Sequence, residues 1–231
     1  MKLILFDIDG TLLVTGGAGK SSLETAFQHC HRHNMDGVPM AGRTDRQIYR
    51  EAMMLHGLDW SMEQETAFRD TYLALLTDAL RRPHPQRRLC PGVQTLLAVL
   101  HQRDDCQLAL LTGNWEASAR MKLRHFNIDH YFPFGAFTDD SPHRPDLVLA
   151  ARHKFQAMTG RATDNSDIFV IGDTPMDIQA ARAHGVVAVA VASGFASAAS
   201  LKAEAPEHFF QDLRDTAAVL SALGLAQSNF T

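Results

Sequence analysis

An apolar run, Leu3-Ile4-Leu5-Phe6, that ends abruptly on two carboxylates is the feature that most limits what this chain can become. The run has no polar alternation, which is how a strand buried on both faces reads. Behind it stand Asp7, Ile8, Asp9, Gly10 and Thr11. Side chains two apart on an extended segment point the same way, so Asp7 and Asp9 can share one site. In parallel α/β sheets the ligand crevice lies beyond the carboxyl ends of the strands. Two carboxylates there repel unless a proton or a cation joins them. A hard dication such as Mg2+, shared with a phosphate oxygen, meets that need. Taken alone, the pair reads equally well as an N-capping aspartate beside a surface one.

Two later segments repeat the pattern. Leu108-Ala109-Leu110-Leu111 runs into Thr112-Gly113-Asn114, and Ile168-Phe169-Val170-Ile171 runs into Gly172-Asp173 with Asp177 close behind. Three apolar strands therefore end in small polar or acidic residues, each ahead of a helix-like stretch.

These segments resemble the haloacid dehalogenase superfamily, in its phosphoglycolate-phosphatase-like branch. Asp7-Ile8-Asp9-Gly10-Thr11 is similar to the family's first motif, Thr112 to its second, and Gly172-Asp173 with Asp177 to its acidic fourth. The third motif is usually a lysine ahead of a helix. Here Arg144-Pro145-Asp146 matches it best, with arginine in place of lysine, and Lys154 is the competing candidate.

Between Leu13 and Cys90 the pattern changes. Gly16-Gly17-Ala18-Gly19 is followed by amphipathic helical patterns over 21–33, 46–56 and 63–80, with no strand among them. From Cys90 onward strands at 106–111, 167–171 and 186–191 alternate with helices. Alternation of this kind implies a parallel sheet covered by helices on both faces. The expected architecture is thus an α/β, Rossmann-like parallel sheet with an inserted α-helical cap. Residues 1–14 and 88–231 are read as the core and 15–87 as the cap, a layout that the resemblance also implies.

Other signals are weaker. Gly16 to Ser21 looks like the end of a G-x-x-x-x-G-K-[ST] phosphate loop, but Val14 occupies the place of its first glycine. The glycines read better as a hinge. His29 and His33 have metal-binding spacing on a helix, yet no third ligand is evident, and a solvated helix face explains them. Met35, Met53 and Met54 read as gap-fillers of the cap core, and Trp60 and Trp115 as packing residues, with Trp115 near enough to Thr112 to border a site. Gly42-Arg43-Thr44-Asp45 lies between two cap helices, where related phosphatases place a specificity loop. Arg43 there suits a distal anionic group, and Thr44 suits a helix N-cap.

Composition excludes several classes. A net charge of -4 over 231 residues offers no electrostatic footprint for nucleic acid. No apolar stretch is long enough to span a bilayer, and the start lacks a basic signal-peptide region. Cys30, Cys90 and Cys106 are odd in number and widely spaced, so reduced thiols in a cytoplasmic protein are expected, not a disulfide framework. The expected assembly is a monomer or a homodimer.

The resemblance implies a Mg2+-dependent phosphatase acting on a small phosphorylated metabolite such as a phosphoglycolate-like acid or a sugar phosphate. Asp7 would be the nucleophile and Asp9 the general acid and base. Asp7, the Asp9 carbonyl and Asp173 would hold the metal, with Asp177 beside them. Thr112, Gly113, Asn114 and Arg144 would bind phosphate, and Arg43 the rest of the substrate. Dehalogenases and phosphonoacetaldehyde hydrolases of the superfamily lack the second aspartate, so Asp9 argues against both. A sugar-phosphate phosphomutase keeps every core motif and stays open. A non-catalytic binding module on the same fold has no need of an acid/base carboxylate.

Overall fold

A computed structural model describes residues 1–225. The chain opens with β1 (Lys2–Phe6), a short β2 (Leu13–Val14) and three helices: α1 (Ala18–His31), α2 (Asp45–Leu55) and α3 (Met62–Arg81). It continues through β3 (Arg88–Leu89), α4 (Val93–His101), β4 (Cys106–Leu111), α5 (Glu116–His125), β5 (Gly135–Ala136) and α6 (Asp146–Thr159). Last come β6 (Ile168–Gly172), α7 (Pro175–Ala183), β7 (Val187–Val191), α8 (Ala198–Ala203), β8 (His208–Phe210) and α9 (Thr216–Ala222). Six strands pair in parallel in the order β5-β4-β1-β6-β7-β8.

The strands alternate between two apolar layers, as a period of two requires. Ile4, Phe6, Leu108 and Leu110 pack against α4, α5 and α9 through Leu96, Leu97, Leu123 and Val219. Leu3, Leu5, Ala109 and Leu111 face the opposite way, onto Leu147, Phe155, Ile178 and Leu201 of α6, α7 and α8. That two-sided burial is why β1, β4 and β6 read as unbroken apolar runs. β1 is central, with β4 on one flank and β6 on the other. The chain thus departs in opposite directions around the end of β1, the position where open α/β sheets form a crevice.

Helices α1, α2 and α3 share an apolar cluster of their own, built on Phe27, Ile48, Tyr49, Phe68, Tyr72 and Leu76. The two chain crossings between these helices and the sheet, β2 and β3, pair antiparallel as Leu13 with Leu89 and Val14 with Arg88. Trp115 leaves the sheet side to join the helical cluster, its ring centroid 6.0 Å from Phe68 and 5.8 Å from Tyr72.

Several boundaries differ from the sequence expectations for physical reasons. β6 starts at Ile168 because Asn165–Asp167 form a 3-10 turn, and β7 starts at Val187 because the Val186 N–H closes α7 on the Ala181 carbonyl. β5 and β8 are two and three residues long, too short to carry a periodic signal. α1 stops at His31, where Arg32 turns left-handed (φ 62°) and donates its N–H to Gln28. His33 is therefore off the helix and shares no face with His29; it stacks on His56 at 4.4 Å. Met54 is 74% exposed and fills no gap, unlike Met35 and Met53, which are buried.

One knot of polar bonds joins the helical segment to the sheet. The Thr44 hydroxyl caps α2 by accepting from the Gln47 N–H (3.2 Å) and donates to the Pro142 carbonyl (2.6 Å). The Asp45 N–H donates to the Gly113 carbonyl (2.7 Å), and its carboxylate accepts from the Trp115 N–H (3.1 Å). Burial pushes the Asp45 carboxyl up to about 7, against the pull of the Lys122 charge and the Trp115 N–H, with the Asp9 and Asp139 charges adding to the rise.

A raised folded-state value means the native state holds its proton more tightly than the unfolded chain does. This group's contribution to stability is therefore full at acid pH and is lost as pH climbs from about 4 to about 7. Asp45→Asn, which keeps an acceptor for Trp115, removes that slope. Relative to the parent, the variant is expected to gain on the order of 2–3 kcal/mol between pH 5 and pH 8, at ~1.4 kcal/mol per unit. Denaturant unfolding at the two pH values measures it, and an unchanged difference would count against the assignment.

Candidate active site

The carboxyl ends of β1, β4 and β6 open onto one cavity of about 540 Å3, whose walls include Asp7, Asp9, Thr112, Gly113, Asn114 and Arg144. Asp7 directly follows β1 and is held there by its N–H, which donates to the Ile171 carbonyl (2.9 Å). The chain then reverses through Gly10, whose left-handed φ of 91° only glycine adopts freely. A methyl group at Gly10 would also run into the Asp173 carboxylate, so this residue is fixed by two constraints at once.

Asp7, Asp173 and Asp177 each place a carboxylate oxygen within 4.8 Å of the others, all buried. Arg144, just ahead of α6, answers part of that charge. Its Nη2 lies 2.8 Å from Asp7 Oδ1 and 2.5 Å from Asp177 Oδ1, and Nε donates to the same Asp177 oxygen at 3.1 Å. Asp177 Oδ2 accepts from the Thr174 N–H and hydroxyl (3.0 and 2.7 Å), a capping box at the start of α7. With both oxygens engaged, Asp177 anchors Arg144 against Asp7. Asp173 is fixed by the Thr11 hydroxyl (3.0 Å) and the Phe195 N–H (2.8 Å).

Burial pushes the Asp7 carboxyl up to about 6, against the pull of Arg144 and with the push of the Asp177 and Asp9 charges. Asp173 is also raised, by burial first and then by the Asp7 and Asp177 charges. Three buried carboxylates facing one guanidinium leave an uncompensated negative charge. Oxygen donors of that kind fit a hard dication. A methyl at Gly194, as at Gly10, would strike Asp173, so the cradle stays open on both sides of that carboxylate.

The Asp9 carboxylate stands apart from the other three. Lys122 Nζ is 2.6 Å from Asp9 Oδ2, and Asn114 Nδ2 donates to the same oxygen at 2.9 Å. Lys122 also donates to Asn114 Oδ1 (2.6 Å), and Asn114 donates to Thr112 Oγ1 (2.7 Å). Burial alone would lower the Lys122 ammonium, but the Asp9, Tyr72 and Asp45 charges hold it above its usual range.

Sequence reasoning missed Lys122 and Tyr72, which line the cavity, and gave Asp45, of the Gly42–Asp45 segment, no role of its own. Lys122 sits in an ordinary amphipathic pattern on α5, and only its near-complete burial sets it apart. Arg43 lines the cavity as expected, but its guanidinium is paired with Glu51. Trp115 does not reach the cavity and packs in the helical cluster. Lys154 does not line the cavity; its ammonium bonds Asp140 (2.7 Å) and the Gly135 carbonyl (2.9 Å).

With this geometry in hand, known proteins can be set beside it. A sequence model described as haloacid dehalogenase-like hydrolase matches residues 4–191. The tyrosine-protein kinase PtkA of Mycobacterium tuberculosis is 30% identical over 85% of this chain, which spans 64% of that protein's length. The phosphoglycolate phosphatase of Synechococcus elongatus is 27% identical over 93% of this chain and 95% of its own. A hydrolase from Pseudomonas syringae has the same fold at a TM-score of 0.71, with 20% identity over 96% of this chain and 98% of its own. The family match extends over most of the chain, from residue 4 to residue 191, and the chain belongs to the haloacid dehalogenase-like hydrolase family.

Proposed function

We propose that this protein is a Mg2+-dependent phosphatase that hydrolyses a small phosphorylated metabolite through an aspartyl-phosphate on Asp7. The observation that carries the reading is the state of the Asp7 carboxylate. Oδ1 is held by Arg144, Oδ2 accepts no hydrogen bond among the described residues, and Asp7 lines the cavity together with Asp9 and Thr112. One oxygen is oriented and the other is left to attack.

Phosphoryl transfer asks a protein mainly for alignment and for charge opposite the equatorial oxygens. Arg144 supplies a fork that bridges the nucleophile and a phosphate oxygen. The Thr112 hydroxyl accepts from Asn114 and so keeps its own hydrogen for the phosphate. Lys122 and Asn114 hold the Asp9 carboxyl in place, where it protonates the leaving oxygen and then takes a proton from the attacking water. Asp7, Asp173 and the Asp9 carbonyl would hold a Mg2+ ion, which would neutralise charge shared by nucleophile and phosphate. Residues 15–87 serve as a lid over the site, with the β2–β3 ribbon as its hinge. Unpaired cysteines (Cys30, Cys90, Cys106) agree with a reducing, cytoplasmic setting. Among the described residues no helix is long and apolar enough to cross a membrane.

Asp7→Asn is expected to abolish phosphate release from an aryl phosphate while the fold is kept, since an amide is neither a nucleophile nor a good Mg2+ ligand. Clear residual turnover in a pure preparation would overturn the nucleophile assignment. Removal of divalent cations with a chelator should stop turnover and added Mg2+ should restore it; activity that survives thorough chelation speaks against the metal. Arg144→Ala should lower kcat/KM by about two decades, with only partial recovery in Arg144→Lys, whereas Lys154→Ala should be near normal. The reverse order of the two alanine variants would show that the phosphate-facing cation has been misplaced.

A further inference from the structure

The cavity is large for a two-carbon acid phosphate, lying within the roughly 300–1,000 Å3 of sites that enclose larger ligands. The helical segment contributes apolar side chains to its wall, Leu23, Met35, Met40 and Ile48, among charged ones. Phe195 lines the cavity while 64% exposed, so an aromatic ring stands at its opening.

The charges in that wall decide what the cavity accepts. Four cations line it, and each already faces a carboxylate. Arg144 is on Asp7 (2.8 Å), Lys122 on Asp9 (2.6 Å), Arg43 on Glu51, and Lys20 on Glu24 (3.7 Å). Glu24, Asp36 and Asp45 add further carboxyl groups to the lining. With Arg144 taken by the phosphate, a substrate carboxylate would have to displace Asp9 from the buried Lys122, displace Glu51 from the half-buried Arg43, or lie unpaired in a partly apolar space, each of which is unfavourable; only the exposed Lys20–Glu24 pair at the rim is cheap to break.

Tyr72, on α3, is fully buried and lines the cavity, and among the described residues its hydroxyl has no hydrogen-bond partner at bonding geometry. The neighbouring Ser118 hydroxyl donates to the Trp115 carbonyl (3.0 Å) and does not meet the Tyr72 oxygen at bonding geometry. A buried hydroxyl left unpaired is unfavourable unless a ligand completes it.

We propose that the alcohol this site releases is uncharged: the substrate is a phosphate monoester of a compound with an apolar face and an oxygen that meets the Tyr72 hydroxyl, not a phosphorylated carboxylic acid. This rests on the phosphatase reading above and narrows its substrate class. Water replaces the alcohol on phosphorus, so the overall reaction is unchanged. Arg43, expected to hold an anionic group, is instead kept from doing so by Glu51.

The test uses three benzyl phosphates that differ only at the para position, carrying hydrogen, hydroxymethyl or carboxylate, with phosphoglycolate as a fourth substrate. With Mg2+ present, the hydroxymethyl compound is expected to lead in kcat/KM, and the carboxylate and phosphoglycolate to trail it at least tenfold. Tyr72→Phe should erase the hydroxymethyl advantage, mainly through KM, with no loss of thermal stability. Glu51→Gln should free Arg43 and raise turnover of the carboxylate compound. Phosphoglycolate or the carboxylate in the lead would overturn the proposal, and so would an unchanged preference in Tyr72→Phe. Binding of the same four compounds to Asp7→Asn, measured by calorimetry with Mg2+, separates the two levels of argument. If nothing is hydrolysed but the uncharged compounds bind at least tenfold tighter than the acids, the phosphatase reading fails and the ligand class stands. If the acids bind as well or better, the ligand class fails whatever the turnover.

Discussion

The contact on which the rest of the site depends is Arg144 held between Asp7 and Asp177. Three buried carboxylates stand at the end of the sheet, and burial first, with their mutual repulsion added, raises the Asp7 and Asp173 carboxyls above their usual range. The guanidinium offsets one charge and fixes the geometry of two of the three carboxylates, Asp7 and Asp177. It succeeds because its partner Asp177 is itself immobilised by the α7 capping box. An ordinary helix-start device thus becomes part of the charge arrangement around Asp7. The same arginine donates from Nη1 to the Gly42 carbonyl (3.3 Å), so the charge centre also touches the helical segment above it.

That contact belongs to a wider seam between the sheet and helices α1–α3. Gly113 sits against the Arg43 backbone so closely that a side chain there would collide with it, and its carbonyl receives the Asp45 N–H. The turn after β4 therefore does two jobs. It presents Thr112 and Asn114 to the cavity and it seats the start of α2. Trp115, the next residue, inserts into the helical apolar cluster. Consequently a change in how the helices sit is felt one residue away from the Thr112 hydroxyl.

Legibility in the sequence followed the range of the signal. The core strands were readable because burial on both faces leaves unbroken apolar runs, as in Leu3 to Phe6 and Leu108 to Leu111. Asp7, Thr112, Asp173 and Asp177 stood out because each follows such a run and carries chemistry that a turn does not require. Helix ends were read less well. The left-handed residue that stops α1 is Arg32, which no capping preference marks, and the metal-like spacing of His29 and His33 dissolved with that helix end.

Taken by itself, the sequence determined the alternating α/β core, the helical insertion after the first strand, and the acidic residues at the strand ends. Each is a local pattern of hydrophobicity or residue type, and the physics that reads it acts over a few neighbours. Only the tertiary structure decided which cation meets which carboxylate. Arg144 and Lys154 are both basic residues around the same helix, yet one reaches Asp7 and the other Asp140. Lys122 is 113 positions from Asp9 and bonds it, and Glu51 withdraws Arg43. Charge pairing depends on three-dimensional distance and burial, which no spacing along the chain encodes.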